Sequence, residues 1–246
     1  MEIFVQSRGF SSEFDYCWQP KVAPFLDRIA SLIQDDYPST VLARIDSKLI
    51  LLATGLSSPE KKDFRDRTIQ HSLMWVLDDD LDADQQIRAI AIEALREKLA
   101  DRVDKYIHLG GEAGFSFSEA EIKNMSSSLL DQNPVGSDPP RELTTKIAKT
   151  SRELREDIAE KLQHYSLPKS YEFVVIVTGI KAEKALEKAG AWRSLSSLVK
   201  SNDWRDLVTS SDIGEDTSRN FRRAVVIILL VITAILVLLL ILNLLT

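Results

Sequence analysis

Three histidines, His71, His108 and His164, and a single thiol, Cys17, are the side chains of this 246-residue chain best suited to nucleophilic, acid–base or zinc chemistry. Such chemistry needs a base within hydrogen-bond reach of a nucleophile, or several ligands converging on one metal. No H-x-E, H-E-x-x-H or C-x-x-C spacing occurs. A Cys17–His71 pair, or His71 as general base beside Asp63 and Asp66, requires the fold to bring distant positions together. His71 alternates with its neighbours in a strand-like run, which reads more simply as a structural or exposed imidazole. No catalytic residue, metal ligand or cofactor is assigned from the sequence.

The acidic run Asp78, Asp79, Asp80, Asp82, Asp84 has the oxygen donors that a hard cation wants. It fails the EF-hand pattern, because from Asp80 the turn glycine is replaced by Gln85 and the bidentate glutamate by Ala91. Acidic residues preceding a helix N-terminus explain it more simply. Gly110, Gly111 and Gly114 lack the G-x-x-x-x-G-K-[ST] phosphate loop and read as a helix stop followed by a loop. Thr178-Gly179 ends an apolar run, where α/β proteins place ligands, but no second glycine or basic residue stands in register with it.

Two clusters suggest binding. The stretch 61–67 offers Lys61, Lys62, Arg65 and Arg67 for an anionic ligand or the carboxylates of a partner, although ion pairing within a solvated loop also accounts for it. Trp192 and Trp204 read as interfacial aromatics, with the core as their alternative place.

The charge distribution sets these clusters in context. The net charge is −6, yet all 31 Lys/Arg and 37 Asp/Glu lie at or before Arg223. Residues 224–246 carry no charge and only Thr233, Asn243 and Thr246 as polar side chains. At about 1.5 Å per residue, roughly 20 apolar residues cross a hydrocarbon core about 30 Å thick. A transmembrane helix is therefore expected over 224–245, joined by a polar linker at 209–223. Arg219, Arg222 and Arg223 form a basic juxtamembrane flank and place the preceding body in the cytoplasm. The opening MEIFVQSRGF lacks the basic and apolar regions of a secretory signal. The lone Cys17 suits a reducing compartment, and the acidic body argues against nucleic acid as principal partner.

For residues 1–208 the pattern predicts an α+β domain: a mainly antiparallel sheet with flanking helices. Strands are expected at 2–6, 40–46, 48–54, 68–77 and 171–177. Helices are expected at 24–34, 84–108, 118–130, 141–165 and 182–189, with one or two short ones over 192–208. Residues 57–67 read as a charged loop and 131–140 as a mobile one. The expected protein is tail-anchored, single-pass, in the inner membrane if bacterial, with a non-enzymatic sensor or adaptor body that recruits a protein or small ligand. Two rivals are a membrane-disrupting effector of a prokaryotic defence system, activated by homo-oligomerisation, and a membrane-anchored hydrolase using Asp63, Asp66 or His71.

Overall fold

A computed structural model describes residues 1–20, 25–33 and 37–207. The expected linker, basic flank and membrane span at 209–245 lie outside them. Among the described residues no helix is long and apolar enough to cross a membrane.

The unit Met1–Leu207 is built on a nine-stranded sheet in the order β11-β8-β10-β9-β3-β4-β5-β1-β2. Its antiparallel half comprises β1 (Glu2–Ser7), β2 (Cys17–Gln19), β3 (Ser39–Ile45), β4 (Lys48–Lys62) and β5 (Thr68–Asp78). The other half comprises β8 (Lys146–Lys149), β9 (Phe173–Thr178), β10 (Arg193–Ser196) and β11 (Arg205–Asp206). There β10 runs parallel to both β8 and β9, while β9 joins β3 antiparallel. The fold is thus α+β, mostly antiparallel, with helices on the sheet.

Both faces are apolar and both are covered. One packs against α2 (Leu81–Leu95), α3 (Leu99–Val103), α4 (Glu119–Gln132) and α5 (Arg152–His164), with Ile87, Leu99, Ile122 and Ile158 in that core. The other packs against α1 (Phe25–Ala30) and α6 (Glu183–Ala189), through Ile29 and Leu186. Double coverage explains the continuous apolar stretches Val41–Ala43 in β3, Leu73–Leu77 in β5 and Phe173–Val177 in β9.

Several predicted elements are corrected. The strand expected at 48–54 continues through Lys62, so the charged loop expected at 57–67 is mostly strand. The register shifts between Ala53 and Leu56, where Gly55 has φ +65° and an added Cβ would lie 2.5 Å from Pro38 N. Only glycine fits this bulge, which redirects the strand without ending it.

The single helix expected at 84–108 is divided. Asp80 caps α2 by accepting from Ala83 N at 2.8 Å, and Glu97, at φ +58°, separates α2 from α3. A 3-10 turn (Asp104–Tyr106) then leads into β6 (Ile107–Leu109), paired with β7 (Phe115–Phe117). The helix expected at 141–165 begins only after β8, with Ser151 capping α5 through Leu154 N. The helices expected over 192–208 are β10 and β11 instead. Burial of β8 beside β10, and of β10 between β8 and β9, outweighs local helix propensity.

One buried ion pair ties helices and loops together. Arg88 is fully buried and donates to Asp84 Oδ1 at 2.8 Å, Leu162 O at 2.7 Å and Gly136 O at 2.9 Å. Asp84 also accepts from Leu167 N at 3.0 Å. The segment expected to be a mobile loop carries two of these ties, since Gly136 N also donates to Gln163 O at 2.7 Å.

Candidate functional site

The bulged hairpin of β4 and β5 carries predicted Arg65 and Arg67 in its tip, residues 63–67, and Lys61 and Lys62 at the end of β4. Asp63 organises that tip: it accepts from the backbone N–H of Arg65 at 2.8 Å and of Arg67 at 3.0 Å, and from Arg67 Nε at 2.9 Å. Arg8 adds an ion pair at 3.3 Å. Burial raises the Asp63 carboxyl, but Arg67 and the two backbone donors outweigh it and hold it at about 2.

The four predicted cations therefore have different tasks. Arg67 is the partner of Asp63, Lys61 binds Asp104 Oδ1 at 2.6 Å, and Lys62 donates to Thr68 Oγ1 at 3.2 Å. Arg65 is exposed and, among the described residues, has no carboxylate partner; its guanidinium lies 5.1 Å from the Phe64 ring centroid.

The sequence reading missed the aromatic residues around these cations. Phe64 N donates to Phe10 O at 2.9 Å and Gln70 N to Tyr16 Oη at 3.2 Å, which docks residues 8–16 against the hairpin tip. Arg8 lies 5.5 Å from the Tyr16 centroid and 5.9 Å from that of Phe64. Phe10, Tyr16 and Phe64 remain 59%, 38% and 39% exposed. Exposed aromatic rings beside arginine have the composition of protein-binding hot spots. The glycines at 110, 111 and 114 serve this end of the molecule structurally: Gly110 N donates to Gly114 O at 2.9 Å, closing the β6–β7 turn. An added Cβ at Gly114 would lie 2.5 Å from Phe14.

Beneath the tip lies a buried polar network. His71 Nδ1 is 2.9 Å from Ser7 Oγ and Nε2 is 3.4 Å from Asp104 Oδ1, which is itself bound by Lys61. Asp63 and Asp66, the partners imagined for His71, instead belong to the hairpin tip. Serine, histidine and aspartate in this order resemble a nucleophilic triad. Ser7 and His71 are, however, only 0% and 1% exposed, so no ester or amide reaches the hydroxyl. Burial, reinforced by the Lys61 charge, pushes the imidazole down to about 4 against the opposing pull of Asp104. A neutral, enclosed His71 links β5 to β1 through Ser7, while its Nε2 has no hydrogen-bond partner among the described residues.

The remaining predicted sites are distributed elsewhere. Asp78 pairs with Lys48 and Asp79 with Arg44, while Asp80 and Asp84 hold α2 and Arg88. No group of metal ligands forms among the described residues. Trp192 is buried, and its indole N–H donates to Glu142 O at 2.8 Å. Arg193 lies between it and Trp204, 4.3 Å and 5.7 Å from the two ring centroids. Arg219, Arg222 and Arg223 lie outside the described residues.

The fold and this surface define an α+β domain with an aromatic–arginine patch at one hairpin tip. No protein family, curated protein or solved structure matches the chain.

Proposed function

We propose that the chain is a membrane-tethered, non-enzymatic recognition module that recruits a protein partner to the cytoplasmic side of a bilayer. The tether rests on the uncharged stretch 224–246 and on Arg219, Arg222 and Arg223 before it. The exposed cluster of Phe10, Tyr16, Phe64 and Arg65 is the observation that carries recognition. Tethering concentrates such a module in two dimensions, so moderate contacts suffice for recruitment. The burial of Ser7 and His71 favours this reading over a hydrolase.

A photo-crosslinking side chain in place of Tyr16 should capture one stoichiometric protein in cells, whereas the same group in place of exposed Leu198 should not. Phe64→Ala and Phe10→Ala should each weaken that complex at least about 10-fold, the effect of a hot-spot residue. Membrane residence should be unchanged. Equal capture at both positions, or affinity indifferent to both variants, would refute recruitment through this patch.

A further inference from the structure

The carboxyl ends of the parallel strands open onto a second site, remote in character from the aromatic patch. A cavity of ≈190 Å³ lies among Ala53, Leu56, Leu95, Leu99 and Val177. Its hydroxyl groups come from Ser39, Thr40, Thr54 and Ser57. Apolar cavities of about 150 Å³ accept a single aromatic ring.

The cavity shares Leu95, Glu97 and Arg155 with an open groove of ≈800 Å³. Four cations line that groove, Arg96, Lys98, Arg152 and Arg155, against two carboxylates, Glu97 and Glu156. Glu156 is held by Arg96 at 2.6 Å, and Glu97 pairs with Arg155. Lys98 and Arg152 are exposed and have no ion-pair partner among the described residues. A local excess of two positive charges on a chain of net charge −6 is therefore concentrated at the mouth of an apolar cavity.

The Glu97 side chain is 70% exposed, whereas that of Arg155 is 17% exposed. Glu97 can thus swing into solvent and release the guanidinium toward an incoming anion. The backbone favours the same site: β8 and β9 are followed by helices on opposite sheet faces, α5 and α6, the arrangement in which α/β sheets bind ligands beyond their strand ends.

We infer that this cavity and groove bind a small organic phosphate, with a compact ring or short apolar body enclosed beside Leu95, Leu99 and Val177. Its phosphate lies among Lys98, Arg152 and Arg155. Two unpaired cations and one releasable guanidinium match a phosphate dianion better than a carboxylate. The inference is independent of the membrane tether and of the hairpin patch.

Calorimetric titration of the full chain in detergent, at low salt, with phenyl phosphate, inorganic phosphate and benzyl alcohol tests it. Phenyl phosphate should bind at least about 10-fold more tightly than either fragment, because both halves of the site contribute. The surface double variant Lys98→Ala/Arg152→Ala should lose about 10-fold or more of that affinity without loss of folding, and added salt should mimic it. Ala100→Phe, placed at the cavity wall, should abolish the advantage over inorganic phosphate. Phenyl phosphate binding no tighter than inorganic phosphate, or binding unaffected by the double variant, would overturn the assignment.

Discussion

Replacing Arg88 with alanine is expected to lower stability by about 3–5 kcal/mol, the largest effect of any single substitution considered. The arginine is fully buried, and its removal leaves the Asp84 carboxylate without its cation and the carbonyls of Leu162 and Gly136 without a donor. Desolvation already pushes the guanidinium below its ordinary value, and Asp84 opposes that push. The pair is thus worth more intact than its net contribution suggests, because breaking it strands a charge. An Asp84→Leu/Arg88→Met double variant, which removes both charges, should recover part of the loss. Denaturant titration of the full chain by tryptophan fluorescence reads both; a loss below about 1 kcal/mol for Arg88→Ala would contradict the role given to the pair.

Acidification should destabilise the protein through His71. Its folded-state value of about 4 lies below the ordinary 6.5, so between those pH values the unfolded chain binds more protons than the folded one. Stability is therefore complete above pH 6.5 and falls as pH drops toward 4, by about 3 kcal/mol in all. His71→Leu should flatten that slope while Lys61 and Asp104 keep their own pair. Asp63 acts in a separate, lower window: its depressed carboxyl contributes stability above the ordinary 3.8, lost as pH falls toward about 2. Unfolding curves of wild type and His71→Leu at pH 7 and pH 4.5 separate the two; parallel losses would exclude His71 as the cause.

The readable parts of the fold were those where one local signal sufficed. The apolar runs of β3, β5 and β9 and the stop at Gly190, which has φ +61°, are visible in the residues themselves. The edge of the parallel half was not. Ile147 and Ala148 of β8 fit the helical periodicity of the segment that follows, and only their burial beside β10 makes them a strand. In β10, Arg193 looks like a surface residue, yet it is fully buried because Glu142 and Thr144 supply acceptors from distant positions and Trp192 from the adjacent one.

The candidate site was legible to the same degree. Arg65 and Arg67 were found from their charge, while Phe10 and Tyr16 were missed because they reach the hairpin tip only through tertiary contacts. Ser7, 64 positions before His71, carries no sequence mark of its pairing with the imidazole.

The proposed tether is tested most directly by alkaline carbonate extraction of membranes from cells expressing the full chain. An integral helix at 224–245 keeps the protein in the membrane pellet, and Leu230→Arg/Leu236→Arg, two charges within the span, should shift it to the supernatant. Quantitative release of the unaltered chain by carbonate would contradict the membrane reading at its root.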